Sequence, residues 1–213
     1  MQTYIAGIDE AGRGPVLGPL VVCCAFCRRA DEKRLRKLEV RDSKRLSPGQ
    51  REAMYAELNK FCTFRWIEIS AADLNKLMGE LSLNDIEANA MADLAKQVDD
   101  ADIMIDMPDR YSWTFRGRMQ RFGVTRFEAE HKADDKYPIV SAASICAKVI
   151  RDGKIDEIKK ATCDFGSGYP GDKKTMEALK DKEKRKILQP FIRTRWKTIE
   201  DLGQTKLFEG END

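Results

Sequence analysis

Hydrophobic residues along the chain form short runs typical of buried strands, separated by longer segments with helical spacing. The runs that are rich in β-branched residues predict five strands. One helical pattern begins at Ser47-Pro48, where serine suits an N-cap and proline suits the first turn. We expect strands at 3–8, 20–26, 62–69, 102–106 and 124–129, and helices at 48–60, 84–98, 141–158, 171–180 and 189–200.

The order of these elements predicts the fold class. Three strands come early, strands and helices then alternate, and the last third of the chain is helical. This order favours an α/β or α+β domain with a mixed sheet, which begins antiparallel and then gains parallel strands. The helical last third would form a small subdomain or extension.

Composition limits the class of protein. The chain has 213 residues, of which 42% are hydrophobic, which fits one domain with a real core, or one domain with a small appendage. No apolar stretch approaches the length of a membrane span, and acids at positions 9 and 10 are unlike a signal peptide. Six cysteines without a secretory signal predict free thiols in a reducing cytosol. We therefore expect a cytoplasmic protein without a membrane partner.

Three of the cysteines, Cys23, Cys24 and Cys27, lie close together in one predicted strand. They could form a redox pair or a metal site. A second cysteine pair or a histidine at metal-binding spacing is missing, and His131 is the only histidine. The sequence favours a buried strand that uses cysteine as a small hydrophobic residue.

The net charge of +2 does not suggest a strongly basic nucleic-acid binder, but the charges are unevenly distributed. Residues 148–197 contain 15 Lys and Arg against 8 Asp and Glu, a net charge of +7, whereas 198–213 have a net charge of −4 and 1–147 of −1. The basic segment fits contact with a polyanion. Solvated helix faces are the alternative, and the run DKEKRK at 181–186 is typical of them.

Acidic residues recur where predicted strands end. Asp9 and Glu10 interrupt an apolar strand, Asp106 ends another, and Asp134 follows a third. A sheet can bring such ends together, and clustered carboxylates repel each other unless a cation lies among them. Oxygen ligands suit Mg²⁺ or Mn²⁺, and two such ions about 4 Å apart stabilise the attacking and leaving oxygens of a phosphoryl displacement. Alternatively, Asp106 merely caps a turn before Pro108, and Asp134 lies on a solvated loop.

The glycines after the first acids have two interpretations. A dinucleotide-binding loop is disfavoured, because the glycines at 12, 14 and 18 miss the required spacing, Pro15 lacks an N–H, and two acids stand where phosphate would approach. A Gly-x-Gly backbone also allows close approach of another chain. Its exposed backbone groups could contact a ribose hydroxyl, which is one way to distinguish RNA from DNA.

Several motifs together resemble the type 2 ribonuclease H family, ribonuclease HII. The matches run in order from about residue 5 to residue 197, and the element GSGYP is similar to that of archaeal and eukaryotic members. The matching stretches are DEAGRGPVLGP at 9–19, DSK at 42–44, ID at 105–106, HKAD at 131–134, SAASICAKV at 141–149 and GSGYPGD at 166–172.

The resemblance implies an RNase H-like fold: a mixed five-stranded sheet flanked by helices, with a helical C-terminal extension. It implies two divalent ions, Mg²⁺ or Mn²⁺, and cleavage of the RNA strand of RNA/DNA hybrids. It also implies incision 5′ to single ribonucleotides embedded in duplex DNA, leaving 5′-phosphate and 3′-OH ends. The implied metal ligands are Asp9, Glu10, Asp106 and Asp134, and the implied substrate contacts are Gly12, Arg13, Gly14, Lys44, Lys148, Arg151 and Tyr169.

Some assignments have competitors in the sequence. Asp135 could replace Asp134, although the K-x-D spacing of the family favours Asp134. Asp102 and Asp109 flank Asp106, which we favour because it directly ends the apolar strand. The absence of a large N-terminal extension argues against the related ribonuclease HIII enzymes.

The C-terminal run QTKLF at 204–208 loosely resembles a sliding-clamp-binding peptide, although its aromatic residue follows the leucine directly. A disordered acidic tail is the alternative. We expect a catalytic core at 1–160, a substrate-binding extension at 161–200 and an acidic tail at 201–213, in a monomer.

The main hypothesis is therefore a metal-dependent endoribonuclease. Two other functions stay open: a non-catalytic module that binds RNA/DNA hybrids, and a DNA nuclease of the same broad fold. Metal-dependent cleavage separates the first of these from an enzyme, and equal cleavage of all-DNA duplex would favour the second.

Overall fold

The structure is a computed structural model that describes residues 3–38 and 46–202. Its five strands form one sheet in the order β3-β2-β1-β4-β5. The strands are β1 Tyr4–Ala11, β2 Leu20–Arg28, β3 Thr63–Ile69, β4 Ala101–Asp106 and β5 Glu128–Glu130. The α-helices of these ranges are α1 Glu32–Lys37, α2 Pro48–Leu58, α3 Ala71–Leu77, α4 Leu83–Ala95, α5 Ser112–Arg121, α6 Ala133–Lys136, α7 Pro138–Ala161, α8 Lys173–Lys180 and α9 Lys182–Leu188, and 197–202 are also helical.

The sheet is mixed, as the order of elements predicts. Strand β1 pairs antiparallel with β2 and parallel with β4, and β4 pairs parallel with β5. The register places Ile8 opposite Ile105. The carboxyl ends of β1 and β4 therefore lie side by side, which brings their terminal acids to the same edge.

The predicted elements are confirmed except near two segments. The fifth strand is wrong in its bounds: it occupies Glu128–Glu130, because Val124 instead donates its N–H to the Met119 carbonyl at the end of α5. The helix expected at 189–200 is also wrong in its bounds, because only 197–202 are α-helical. A short 3₁₀ turn ends at Phe191, and Ile192 is extended and bridges to Leu17.

Five of the observed α-helices were not predicted from the sequence, because they are short or weakly amphipathic. They are α1, α3, α5, α6 and α9. Helix α5 shows the reason: only Phe115 and Met119 are buried in its ten residues, too few to produce a helical hydrophobic pattern. Helix α2 was predictable from its start, where Ser47 and Gln50 form a capping box.

Helix α7 lies directly against β1. A Cβ atom added to Gly7 would lie only 2.4 Å from the Ile139 carbonyl carbon. Only glycine permits this close approach of a helix backbone to a strand. The contact places the small, buried residues of α7 over the strand that carries Asp9.

The described residues divide into two compact units, each with its own hydrophobic core. Of the described residues, the first contains 3–11, 21–38, 46–68 and 82–152, and the second contains 12–20, 69–81 and 153–202. Residues such as Ile5, Leu58 and Ile145 form the core of the first unit. Val16, Phe165 and Leu188 belong to the core of the second.

The helices and the cysteines of the described residues bear on two further predictions from the sequence. Within 3–38 and 46–202, no helix combines the length and the apolar character that crossing a bilayer requires. All six cysteines are free thiols, and Cys23, Cys24 and Cys27 are buried in β2. The interpretation of these three as small hydrophobic strand residues is confirmed.

Candidate active site

Three aspartates of the first unit meet at one edge of the sheet. Asp9 lies on β1, Asp106 ends β4, and Asp134 lies on α6. One carboxylate oxygen of each lies within 4.8 Å of the others. Asp9 and Asp134 are each only 4% exposed. We call these three residues the carboxylate cluster.

The local backbone explains how the third member joins the other two. Lys132 adopts a left-handed conformation, with φ of 54°, between β5 and α6. This conformation is uncommon for a residue with a side chain and is concentrated at functional sites. The turn directs the Ala133 N–H to Asp106, to whose Oδ1 it donates at 3.0 Å, and it places Asp134 next in the chain.

The electrostatics of the cluster are unfavourable without a cation. Burial raises the pKa of Asp9 well above its ordinary value, and the nearby charges of Glu10 and Asp106 raise that pKa further. Hydrogen bonds from Ser144 and from the Glu10 backbone lower it by less. A divalent cation would relieve this repulsion, and its hard character suits an all-carboxylate donor set. The residues therefore fit a divalent metal.

Glu10 and Asp135 have different positions from the three clustered acids. Glu10 is half-buried on β1, its backbone N–H donates to Asp9 Oδ1 at 2.7 Å, and it lies outside the group of mutually close oxygens. Asp135 is exposed, whereas its neighbour Asp134 is buried within the cluster. Of the two adjacent aspartates, the structure brings Asp134 to the other acids.

Sequence reasoning missed Ser144. Its hydroxyl hydrogen-bonds to Asp9, and the Lys148 ammonium donates to Ser144 Oγ at 2.9 Å. Lys148, expected to contact phosphate, is thus half-buried and linked to the cluster through one hydroxyl. The signal was present as a Ser-x-x-x-Lys pair on one helix face, within an otherwise small and apolar run.

Asp102 and Asp109, the two competitors of Asp106, have cationic partners. Asp102 pairs with Arg29. Asp109 is buried, accepts a hydrogen bond from Asn84 at 2.6 Å, and pairs with Arg118 at 3.2 Å. Each of these acids is therefore explained by its own ion pair, and neither belongs to the carboxylate cluster.

The remaining predicted basic contacts differ in their surroundings. Arg151 is only 5% exposed and lies 4.0 Å from Asp152. Asp152 also accepts a hydrogen bond from Arg51 at 2.7 Å. Lys44, with the whole motif 42–44, lies outside the described residues, as does the run 204–208.

The second unit contains the predicted ribose contacts. Gly12 is buried with φ of 90°, Arg13 is half-buried, and Gly14 is exposed. A Cβ atom built on Gly14 would lie 3.6 Å from the ring of Tyr169, which is 41% exposed. Glycine and tyrosine thus form one surface, on which the backbone at Gly14 is accessible.

Sequence reasoning also missed Arg193, which holds this loop in place. The guanidinium is buried and donates from Nε to the Gly18 carbonyl at 2.8 Å and from Nη1 to the Arg13 carbonyl at 3.3 Å. The Gly168 carbonyl accepts from the Val16 N–H at 2.8 Å. The hydrophobic pattern of the sequence does not predict that an arginine is buried, or that it binds a carbonyl 175 residues earlier in the chain.

Comparisons with known proteins show the family of the chain. The sequence pattern that defines the family "Ribonuclease HII" matches residues 6–199. Ribonuclease HII of Archaeoglobus fulgidus is 41% identical over 202 residues, covering 95% of this chain and 98% of the relative.

Solved structures show the same fold. The chain is similar to one in a PCNA:RNase HII complex from A. fulgidus, with a TM-score of 0.84, 41% identity and coverage of 91% of this chain and 95% of that one. For ribonuclease H2 from Pyrococcus horikoshii OT3 the TM-score is 0.85, at 36% identity and coverage of 95% and 98%. Bst-RNase HIII in complex with Mn²⁺ shares the fold alone, with a TM-score of 0.80 at 17% identity and coverage of 96% and 70%. The chain belongs to the ribonuclease HII family, in its archaeal form, and is a ribonuclease H with an RNase H-like α/β fold.

Proposed function

We propose that this ribonuclease H cuts the RNA strand of RNA/DNA hybrids and also incises 5′ to single ribonucleotides embedded in duplex DNA. The products would carry 5′-phosphate and 3′-OH ends. The observation that supports the proposal most directly is the carboxylate cluster, three acids within 4.8 Å in a chain of this family. We further propose that the enzyme acts as a cytoplasmic monomer.

The carboxylate cluster would hold divalent cations, Mg²⁺ or Mn²⁺, and we propose two, with Glu10 as the fourth ligand. Bound there, the ions supply positive charge next to the phosphodiester that is cut. The structure of Bst-RNase HIII in complex with Mn²⁺, which shares the fold, supports a divalent ion in this class of protein.

The chain's own residues would orient the acids. Ser144 hydrogen-bonds to Asp9, and Lys148 donates a hydrogen bond to Ser144. The Asp9 carboxylate is therefore restrained directly by Ser144 and indirectly by Lys148. The Ala133 N–H restrains Asp106 in the same way. Fixed ligands lower the cost of reorganisation when charge develops at the phosphate.

Recognition of ribose would come from Gly12, Arg13, Gly14 and Tyr169. Backbone groups at an exposed glycine can approach a 2′-hydroxyl without steric hindrance, and only RNA offers that hydroxyl. The Tyr169 ring, packed beside Gly14, could stack on the sugar of the next nucleotide and reject a second ribose. The loop requires no induced folding, because Arg193 already holds it.

We also assign phosphate contacts to Lys44, Lys148 and Arg151. The extension at 161–200 would add affinity that is independent of sequence, because most of its charge is basic. This contribution should weaken steeply with salt.

A cleavage assay on three duplexes tests the proposal. An RNA/DNA hybrid, a DNA duplex with one embedded ribonucleotide and an all-DNA duplex are incubated with Mg²⁺ or Mn²⁺, and the product ends are mapped. We expect cleavage of the first two and a 5′-phosphate on the downstream product. Binding without cleavage of any duplex would instead indicate a hybrid-binding module, and equal cleavage of all-DNA duplex would indicate a DNA nuclease.

A second proposal concerns a sliding clamp. The similar A. fulgidus chain was solved in a PCNA:RNase HII complex, and the run 204–208 loosely resembles a clamp-binding peptide. We propose that this run binds a clamp of the PCNA type. Truncation after residue 202 should abolish co-elution with the clamp while cleavage of a short hybrid persists; unchanged co-elution would contradict the assignment.

A further inference from the structure

An exposed aromatic pair follows Asp106 in the chain and belongs to the first unit. The rings of Tyr111 and Trp113 stack, with centroids 4.4 Å apart and planes inclined by 15°. Trp113 is 69% exposed and Tyr111 is 44% exposed. Adjoining aromatic side chains form a contiguous exposed apolar surface, and such surfaces are typical of binding sites.

A positively charged side chain lies against the pair, and the polar groups of the pair are available for hydrogen bonding. Arg110 lies over the Tyr111 ring, 5.2 Å from its centroid, and forms no ion pair with any residue of 3–38 or 46–202. Within the same ranges, the Tyr111 hydroxyl and the Trp113 indole N–H make no hydrogen bond. We call Arg110, Tyr111 and Trp113 the aromatic platform.

The charge around the aromatic platform selects the class of partner. The segment 107–127 contains five arginines and a single acid, Asp109. Arg118 pairs with Asp109 and Asp85, Arg121 pairs with Asp85, and Arg116 pairs with Glu128. The positive charge on the aromatic platform itself is that of Arg110. An aromatic face next to a guanidinium group suits single-stranded nucleic acid, since every base has a π-face and every linkage a phosphate.

Anchoring contacts fix the aromatic platform relative to the metal ligands. The Met107 N–H donates to the Glu130 carbonyl at 3.0 Å, and the Arg110 carbonyl contacts His131 Nε2 at 3.2 Å. Tyr111 is five positions after Asp106, so their Cα atoms are at most about 18 Å apart. At about 3.4 Å per nucleotide, the platform lies within roughly five nucleotides of the carboxylate cluster.

We propose that the aromatic platform stacks on an unpaired nucleobase of the substrate close to the cleaved linkage. Bases within a duplex are already stacked on each other, so the open face of Trp113 favours a flap, gap or frayed end. The inference rests on the proposed endonuclease function and deepens it, because it names the substrates that should be preferred: ribonucleotides next to single-stranded segments.

Binding in EDTA tests the platform without cleavage. We would measure fluorescence anisotropy with a labelled oligothymidine, and with ribonucleotide-containing duplexes that are either blunt or carry a single-stranded overhang. Trp113→Ala should weaken oligothymidine binding about tenfold and abolish the preference for the overhang. Trp113→Phe, which keeps a π-face, should restore most of the affinity and also controls for folding.

Trp66→Ala is the matched control, because Trp66 is also exposed but lies on β3 at one edge of the sheet. The affinity of Trp66→Ala for oligothymidine should equal that of the wild type.

Equal oligothymidine affinity in wild type and Trp113→Ala would overturn the proposal. It would also be overturned if sedimentation showed a dimer that Trp113→Ala dissociates, because the pair would then be a contact between copies. Failure of metal-dependent cleavage would instead count against the endonuclease function and leave the binding result standing.

Discussion

Two groups of buried or half-buried acids in the first unit have opposite surroundings. The carboxylate cluster of Asp9, Asp106 and Asp134 brings three acids together, and the charges around Asp9 raise its pKa. The other group, Asp85 and Asp109, has two arginines: Arg118 pairs with both acids, and Arg121 pairs with Asp85. We call these four residues the arginine cluster.

The partners of a buried acid thus indicate its role: arginine partners indicate a structural acid, and neighbouring carboxylates indicate a functional one. Burial of a carboxylate is costly, and the arginine cluster offsets that cost with guanidinium groups within the chain. In the carboxylate cluster, the side-chain hydrogen bond to Asp9 is neutral and comes from Ser144. At Asp9 the neighbouring carboxylates instead add to the cost of burial, and a divalent cation would offset that cost.

The largest effect should come from the carboxylate cluster. Asp106→Asn keeps the size of the side chain but removes a negative ligand, so cleavage of a hybrid should fall about 1,000-fold or more. Affinity for the hybrid in EDTA should be retained. Asp135→Asn, next to a cluster member but exposed, is the control and should keep nearly full activity. Substantial cleavage by Asp106→Asn would remove Asp106 from the metal ligands.

Removing the shared cation of the arginine cluster should have the next largest effect, on stability. Arg118→Met leaves Asp85 and Asp109 without their common partner, so the free energy of unfolding in urea should fall by about 3 kcal/mol. Arg116→Met removes an exposed arginine of the same helix, whose pair with Glu128 is at the surface, and should change it by less than about 1 kcal/mol. Equal effects of the two variants would show that the arginine cluster is not structural.

The pH dependence of stability should reflect Asp85. Burial alone would raise its pKa, but hydrogen bonds from Ser82, Arg118 and Arg121 lower that pKa from 3.8 to about 2. A lowered pKa stabilises the folded state above about pH 4, and this contribution disappears as the pH falls towards 2. Asp85→Asn should therefore cost about 2 kcal/mol at pH 7 and progressively less from pH 4 to pH 2. A cost that is constant with pH would point to packing instead.

Much of the fold and part of the site follow from local sequence signals. Strand hydrophobicity predicts the first four strands, and an acid at the end of an apolar run marks Asp9 and Asp106. The family resemblance then supplied Asp134, whose buried position depends on the left-handed turn at Lys132. No local pattern indicates such a conformation at a lysine.

The partners that distinguish the acids were beyond local signals because they are distant in the sequence. Arg118 and Asp85 are 33 residues apart, and Arg193 contacts the carbonyl of a residue 175 positions earlier. Short helices such as α5, which carries Arg118, have too few buried positions to be recognised. The arginine partners of Asp85 and Asp109 therefore became visible only in three dimensions.

The smallest effect we expect is a gain in stability from a substitution that abolishes activity. Without metal, the Asp9 charge is buried next to Asp106 and Glu10, so Asp9→Asn should raise the free energy of unfolding in EDTA by about 1 kcal/mol. Excess Mg²⁺ or Mn²⁺ should stabilise the wild type, because a ligand that binds only the folded state shifts unfolding. It should stabilise Asp9→Asn much less. A destabilised Asp9→Asn in EDTA would contradict the proposed contrast, because the carboxylate cluster would then be held together within the chain, as the arginine cluster is.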